Sequence, residues 1–174
     1  MSPKVTTNLS VQLRAVEPED EPFLLNVYSS ARADELALVP WTDEQRQAFV
    51  EMQFAAQQKH YASEYPNASH DIILADSRPI GRLYVARLNE EIRIVDITVL
   101  AQERNRGIGT YLIEKLLDEA ALTARFVSVY VETFNPSLKL FERLGFKRGE
   151  QAGINFLLKW GNESSKTTGA KDQA

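Results

Sequence analysis

The chain has 174 residues, of which 44% are hydrophobic and 25% are charged, with a formal net charge of −4; this suits one domain with a sizeable core and argues against a general nucleic-acid surface. There is no cysteine and there are only two histidines, which excludes disulfides, a thiol nucleophile, thiolate metal sites and a histidine-rich metal site, so no metal is expected. The sequence shows neither a signal peptide nor an apolar run long enough to span a membrane, so we expect a cytoplasmic protein without a membrane partner.

Composition along the chain predicts a single folded domain with a polar segment at each end. Residues 1–9 have little apolar periodicity and are predicted to be a loose leader. Residues 10–161 carry the periodic apolar pattern of one domain. Residues 162–174 are polar and are predicted to be a disordered tail.

The domain begins with a strand and two helices. Apolar and polar residues alternate over Val11 to Val16, which predicts a strand. Acidic residues and Pro22 then favour the start of a helix. Thr42 followed three residues later by Gln45 is a capping-box pattern, which predicts a second helix from Asp43 to about Tyr61.

Three consecutive strands follow, at Asp71–Ala75, Ile80–Arg87 and Glu91–Leu100. The segments between them are short enough for hairpins, so these strands are predicted to be antiparallel.

The rest of the domain is predicted as helix, strand, helix and two closing strands. These are Tyr111–Ala124, Phe126–Thr133, Ser137–Leu144, Phe146–Arg148 and Ile154–Trp160. The order β-α-α-β-β-β-α-β-α-β-β indicates an α+β fold with a mixed sheet and helices on its faces, without the regular alternation of a doubly wound fold. The last strand is apolar and is expected to leave an open edge, which favours a homodimer.

The segment from Arg104 to Thr110 predicts an anion site. It carries two glycines, lies between a strand and a helix, and leaves the first N–H groups of that helix unpaired at the positive end of its dipole. A phosphate or pyrophosphate suits such a site. A Rossmann turn would need a glycine where Leu112 stands, and a Walker loop would need a lysine before Thr110, so neither motif is present.

This segment resembles the signature of the GNAT superfamily of acyl-CoA N-acyltransferases. The signature [Q/R]-x-x-G-x-[G/A] is matched by Arg104, Gly107 and Gly109. The block from Asn135 to Phe146 resembles the family's second segment, N-x-x-[S/A] followed by Y-x-x-x-G-F. The resemblance extends over residues 11–160 and implies a three-layer fold around a mixed sheet of about six or seven strands.

The resemblance also implies acetyl-CoA as co-substrate. The glycine turn would hold the pyrophosphate, with charge from Arg104 and Arg106, and the strand before it would pair with the pantetheine arm. Asn135 could bond the pantetheine amide, cap the following helix, or do both. The residues expected at the cofactor are Thr98, Val99, Leu100, Arg104, Asn105, Arg106, Gly107, Ile108, Gly109, Thr110, Asn135, Phe141 and Arg143.

Two carboxylates are the candidate catalytic residues. Asp96 lies inside an apolar strand, where it could act as general base or anchor a cationic acceptor, or form a structural ion pair with Arg82 or Arg93. Glu132 ends the next strand, where it could bind the amine or remove its proton, or be an ordinary strand-end acid.

Other polar and aromatic residues are less informative. Many GNAT enzymes have a tyrosine as general acid where this chain has Phe141, so another hydroxyl such as Tyr111 or Tyr130 would serve, or the thiolate would leave without help. Tyr84 and Tyr130 are expected to be packed. The amide-rich run over residues 52–58 is expected to be a solvated helix face.

The sequence therefore predicts an acetyl-CoA-dependent N-acetyltransferase that acts on a primary amine of a small molecule, a peptide or a protein. A non-catalytic acyl-CoA-binding sensor with the same fold is the alternative. A nucleotide-binding protein that shares only the glycine turn is a third, disfavoured by the missing motifs.

Overall fold

A computed structural model describes residues 8–161, and the predicted tail and the first seven residues of the predicted leader lie outside them. The strands are β1 (Val11–Ala15), β2 (Ser69–Ala75), β3 (Arg78–Arg87), β4 (Glu91–Val99), β5 (Phe126–Glu132), β6 (Lys147–Ala152) and β7 (Asn155–Trp160). The helices are α1 (Glu21–Ala37), α2 (Asp43–Glu64), α3 (Ile108–Leu122) and α4 (Ser137–Arg143). This confirms the predicted element order, with ends that move by a few residues.

All seven strands form one mixed sheet in the order β1-β2-β3-β4-β5-β7-β6, which confirms the predicted α+β class. Every neighbouring pair is antiparallel except β4 and β5, which are parallel. Within residues 8–161 no helix combines the length and apolar character that crossing a membrane requires.

The prediction that Ile154–Trp160 leaves an open edge is wrong. The corresponding strand, β7, lies between β5 and β6, and its Leu158 is completely buried. The outer strand is β6, whose six residues are polar or small and all exposed. The physical reason is that the polar strand tolerates solvent, so the hairpin turns the apolar strand inward against β5.

Helices cover the two faces of the sheet. Alternation along β2 shows this directly, because Ile72 packs in the cluster with α1 and α2 whereas Ile73 packs in the larger cluster with α3 and α4. Leu112 of α3 and Phe141 of α4 lie in that larger cluster. The sheet is thus the middle of three layers.

Strands β4 and β5 separate along their length. They pair only between Glu91–Ile94 and Phe126–Val129, and beyond this point neither strand bonds the other. The gap opens toward the glycine turn that follows β4. This separation opens a cleft at the middle of the sheet and leaves the end of β4 free to pair with a ligand, as the expected pairing with a pantetheine arm requires.

A β-bulge at Val95 decides which side chains face the cleft. Tyr84 pairs with Asp96 whereas the next residue of β3 pairs with Ile94, so Val95 is the extra residue on β4. Side chains alternate along a strand, so Arg93 and Asp96 would face opposite sides without it. The bulge brings both onto the side of α1 and α2.

Candidate active site

A cavity of about 510 Å³ lies where β4 and β5 separate. Residues of α1, α2 and four strands form its walls, and Ser137 and Phe141 of α4 also line it. The side chains in its lining that carry charge or a polar group include Tyr28, Arg32, Glu35, Gln57, His60, Tyr61, Tyr65, Arg82, Arg93, Asp96, Thr98, Tyr130, Glu132, Asn135 and Asn155. The cavity therefore brings together both predicted catalytic carboxylates with three of the predicted cofactor residues, Thr98, Asn135 and Phe141.

The glycine turn has the backbone geometry that the predicted anion site requires. Asn105 and Gly107 adopt left-handed backbone conformations, with φ of 59° and 78°. These two residues turn the chain into α3, whose first internal bond runs from Tyr111 N to Gly107 O at 3.0 Å. Within the described part of the chain, the N–H groups of residues 106–110 make no hydrogen bond. They are free for an anion at the positive end of the α3 dipole.

The arginines of this turn are less free than the sequence suggests. Arg104 donates through Nε to the carbonyl of Val99 at 3.2 Å. Arg106 is ion-paired with Glu103, which is buried and also contacts Arg78 at 3.4 Å. Sequence reasoning missed Glu103, whose only signal is an acid directly before the turn. Backbone N–H groups thus contribute much of the positive potential here.

The end of β4 presents a free strand edge to the cleft. Leu100 N bonds Ile80 O of β3 at 2.8 Å, so that side of the strand is satisfied. Thr98 donates through Oγ1 to Asp96 at 2.6 Å.

Past the turn, Ile108 is buried and a Cβ built on Gly109 would lie 3.6 Å from Leu140. Thr110 is half-buried on the first turn of α3.

The second sequence block lies beside the cavity. Asn135 accepts a hydrogen bond from Ser137 N at 2.9 Å, which is the capping role that the sequence allowed. Phe141 is 2% exposed, and its ring lies 5.1 Å from Phe146 in an edge-on contact. Arg143 is exposed, and its side chain makes no hydrogen bond or ion pair among residues 8–161.

Asp96 forms the ion pair that the sequence offered as its structural role. The partner is Arg82, whose Nε lies 3.1 Å from Oδ2, whereas Arg93 pairs elsewhere. Both oxygens of Asp96 are engaged, because Thr98 bonds the other one. Arg82 is 1% exposed, which is unusual for an arginine and requires this pairing.

The expectation that the amide-rich run is a solvated face is wrong for two of its members. Gln57 and Gln58 both accept hydrogen bonds from Arg82, the second at 3.1 Å. These bonds tie α2 to β3 under the cavity. The ring of Tyr61 also lies 5.9 Å from the Arg82 guanidinium, and burial raises the pKa of its hydroxyl, with the charge of Asp96 acting in the same direction.

Glu132 differs from the other acids of the cavity. Within the described residues its carboxylate has no ion pair and no hydrogen bond, although its carbonyl accepts from Asn135 N at 2.9 Å. Arg93 is occupied by Glu91 at 2.7 Å and by Ser128 at 2.6 Å. Glu132 is thus a half-buried, unpaired carboxylate in the cavity wall.

The tyrosines divide between packing and the cavity. Tyr84 is buried against Tyr61 and His70, which confirms its predicted packing. Tyr130 was also expected to pack, but it is 49% exposed and lines the cavity, with the Arg93 guanidinium 4.9 Å from its ring. The reason is that this side chain faces the open cavity. Tyr111 does not line the cavity.

Comparisons with known proteins are consistent with this geometry. A model of the acetyltransferase (GNAT) family matches residues 28–146, which is more than half of the chain. No curated protein sequence matches the chain.

Three solved structures illustrate the likeness of the fold. An N-acetyltransferase, PaiA, from Thermoplasma acidophilum in complex with coenzyme A has a TM-score of 0.66 at 16% identity, covering 88% of this chain and 99% of that one. An acetyltransferase from Thermus thermophilus has a TM-score of 0.61 at 19% identity, covering 87% and 96%. Arabidopsis thaliana Naa50 with the bisubstrate analogue CoA-Ac-MVNAL has a TM-score of 0.55 at 16% identity, covering 88% and 99%.

Proposed function

The chain belongs to the GNAT family of acetyltransferases, and from that premise we propose that it transfers the acetyl group of acetyl-CoA to a primary amine. One observation carries this proposal. The free N–H groups of residues 106–110 stand at one end of the gap between β4 and β5, and the cavity with the unpaired Glu132 stands along it. The free N–H groups, the free strand edge and the carboxylate would then serve the pyrophosphate, the pantetheine arm and the amine.

The anion site and the strand edge suit the donor. Coenzyme A carries a pyrophosphate, which the N–H groups of residues 106–110 would hold. The pantetheine arm has amides that would pair with the free edge of β4 beyond Ile94, in the manner of an added strand. The thioester would then lie in the cavity between Asp96 and Glu132, both of which line it.

Glu132 is the proposed proton acceptor. The amine nitrogen must lose a proton before its lone pair attacks the thioester carbon, and an unpaired carboxylate can take that proton directly or through water. A C–N bond forms, the C–S bond breaks, and the thiolate leaves and is protonated to the free thiol. Asp96 is held by Arg82 and Thr98, so its proposed part is to fix the cavity wall and its charge.

Phe141 gives the alternative function its support. It stands where many family members have a tyrosine, and it cannot protonate a leaving thiolate. A binding module that senses acyl-CoA needs no such proton. Tyr130 lines the cavity and has a hydroxyl, so we propose it as the proton source if the protein is catalytic.

Calorimetry with acetyl-CoA and a thiol-release assay over a broad amine panel test the function together. We expect a Kd of about micromolar size and release of thiol with some amine. Absence of both binding heat and thermal stabilisation would overturn the proposal. Tight binding with no thiol release from any amine would favour the sensor instead.

The two carboxylates are tested as a matched pair. We expect Glu132→Gln to lower kcat/KM by about 100-fold, with acetyl-CoA affinity retained, because the proton acceptor is lost. Asp96→Asn keeps a hydrogen-bond acceptor for Arg82, so it should lower kcat/KM less than Glu132→Gln does. A larger loss of kcat/KM in Asp96→Asn than in Glu132→Gln would make Asp96 the base.

A further inference from the structure

The charges of the cavity point to a particular class of acceptor. Three arginines line it, and within the described residues each is already paired with a carboxylate: Arg32 with Glu35 at 3.6 Å, Arg82 with Asp96, and Arg93 with Glu91. No lysine lines it. The cavity therefore holds no arginine or lysine whose charge is left over for an anionic group of the substrate.

The negative charges of the lining are not all paired. Glu35, Asp96 and Glu132 are its acids, and the first two are the partners of arginines just named. Glu132 alone among them has no partner in the part of the chain that is described. Once Glu91, the partner of Arg93, is counted with the lining, three arginines face four carboxylates and one negative charge is left over.

A free amino acid would bind unfavourably against this wall. Its α-carboxylate would enter a space that contains an unpaired carboxylate and offers no unpaired arginine or lysine, so it would lose its hydration without gaining a partner. An ammonium group has a smaller net cost of desolvation, because Glu132 offers it a charge-assisted hydrogen bond. The rings of Tyr28, Tyr61 and Tyr130 already lie against the guanidinium groups of Arg32, Arg82 and Arg93, at 5.3, 5.9 and 4.9 Å, so they engage the same three cations.

We propose that the acceptor is a cationic primary amine with no carboxylate beside the amino group; this inference rests on the proposed function and narrows it. The acceptor nitrogen gains the acetyl carbon and loses one proton, and the sulfur leaves as the thiol. Two sources share this chemistry, a free alkyl or arylalkyl amine and the terminal amine of a peptide. Free amino acids are excluded by charge, although they carry the same nucleophile.

Matched acceptors test the proposal by kcat/KM in the thiol-release assay. The set is tyramine, tyrosine amide and tyrosine, with a tyrosyl peptide amide as the peptide arm. We expect tyramine and tyrosine amide to exceed tyrosine by about tenfold or more, because only tyrosine brings an unpaired carboxylate. Tyrosine amide has nearly the size of tyrosine, so it separates charge from shape. Equal or greater activity with tyrosine would overturn the proposal.

A variant of the cavity wall tests whether its charge causes the preference. Glu35→Gln removes the partner of Arg32, which is the most exposed arginine of the three, and frees its charge in the cavity wall. We expect the preference for tyramine over tyrosine to narrow in Glu35→Gln by about threefold or more. His60→Gln, at an exposed lining residue, is the control that keeps the pair of Arg32 and Glu35, and its preference should stay at that of the parent protein. Glu35→Gln with an unchanged preference would count against the charge argument.

Binding separates failure of this inference from failure of the proposed function. Calorimetry on the protein saturated with CoA measures tyramine against tyrosine without turnover. If tyramine binds and tyrosine does not, while no amine releases thiol, the preference stands and the acetyltransferase proposal falls. If thiol is released equally from both, the acetyltransferase stands and the preference falls.

Discussion

The ion pair between Arg82 and Asp96 shows how burial decides the worth of a charge. The two side chains are 1% and 13% exposed, and the guanidinium also donates to Gln57 and Gln58. The desolvation of such a pair offsets much of its attraction, but removal of one partner leaves the other buried and uncompensated. The sequence could show an acid in an apolar strand, and could not show which arginine meets it.

We expect Asp96→Ala to lower the free energy of unfolding by about 3 kcal/mol, because Arg82 would be left buried without its counterion. Urea unfolding monitored by fluorescence measures this. Glu142→Ala is the matched control, since Glu142 pairs with Arg148 at the surface, where the two side chains are 37% and 48% exposed. That variant should cost less than about 1 kcal/mol. Equal losses would contradict the argument from burial.

Gly107 would support the proposed anion site through its backbone alone. We expect Gly107→Ala to cost about 1 kcal/mol of stability, because φ is 78° and an L side chain is strained there. The Cβ would also crowd an anion approaching the free N–H groups, so the Kd for CoA should rise by about tenfold. Calorimetry and urea unfolding give the two quantities.

Gly153 offers the control for that prediction. It has φ of 60°, and a Cβ built on either glycine meets nothing within 4 Å. Gly153→Ala therefore carries the same backbone strain without a place in the turn before α3. A similar stability loss with unchanged CoA affinity is expected, and parallel losses of CoA affinity in both variants would show that strain, and not access to the N–H groups, is responsible.

Among the elements, helix α2 begins where the sequence predicts. Thr42 Oγ1 accepts from Gln45 N at 3.2 Å and Thr42 N donates to Gln45 Oε1 at 2.9 Å, which is the predicted capping box. The solvated face predicted for its later turns is wrong at Gln57 and Gln58, which bond the buried Arg82. The start depends on four consecutive residues, whereas the buried face depends on a strand about 25 residues away.

Loss of the cap tests how far the first turn of α2 depends on it. We expect Thr42→Ala to lower the free energy of unfolding by about 1 kcal/mol, because the N–H of Gln45 loses its acceptor. Thr42→Ser keeps the hydroxyl and should remain within about 0.5 kcal/mol of the parent protein. Denaturant unfolding of the three proteins measures both differences, and an equally damaging serine would point to the lost methyl group instead.

For the whole molecule, His70 makes stability depend on pH. Its Nε2 is buried with no hydrogen-bond partner within residues 8–161, and its ring lies 4.5 Å from that of Tyr84. Burial, with the nearby charge of Arg82 in the same direction, lowers the pKa of His70 to about 4 from a usual 6.5. The unfolded chain therefore takes up a proton before the folded one does, and stability falls as pH drops from 6.5 toward 4.

The expected loss over that interval is on the order of 2 kcal/mol. Unfolding free energies measured by urea at intervals of pH test it, and His70→Phe should flatten the profile while it keeps the ring against Tyr84. Asp20 governs a lower interval, because its hydrogen bond with Arg14 lowers the pKa of the Asp20 carboxyl to about 2 from 3.8. Asp20→Asn should leave the decline between 6.5 and 4 intact, and a profile that His70→Phe does not alter would rule out His70 as its cause.

The fold class, the element order, the start of α2 and the glycine turn before α3 were determined by the sequence itself. Each depends on residues close together in the chain, through apolar periodicity, turn residues and unpaired helix N–H groups. The free Glu132, the paired arginines and the inward position of β7 were decided only by the tertiary structure. A bulge at Val95 moves every following side chain of β4 to the other face, and strand pairing, which joins residues far apart in the chain, determines where that bulge falls.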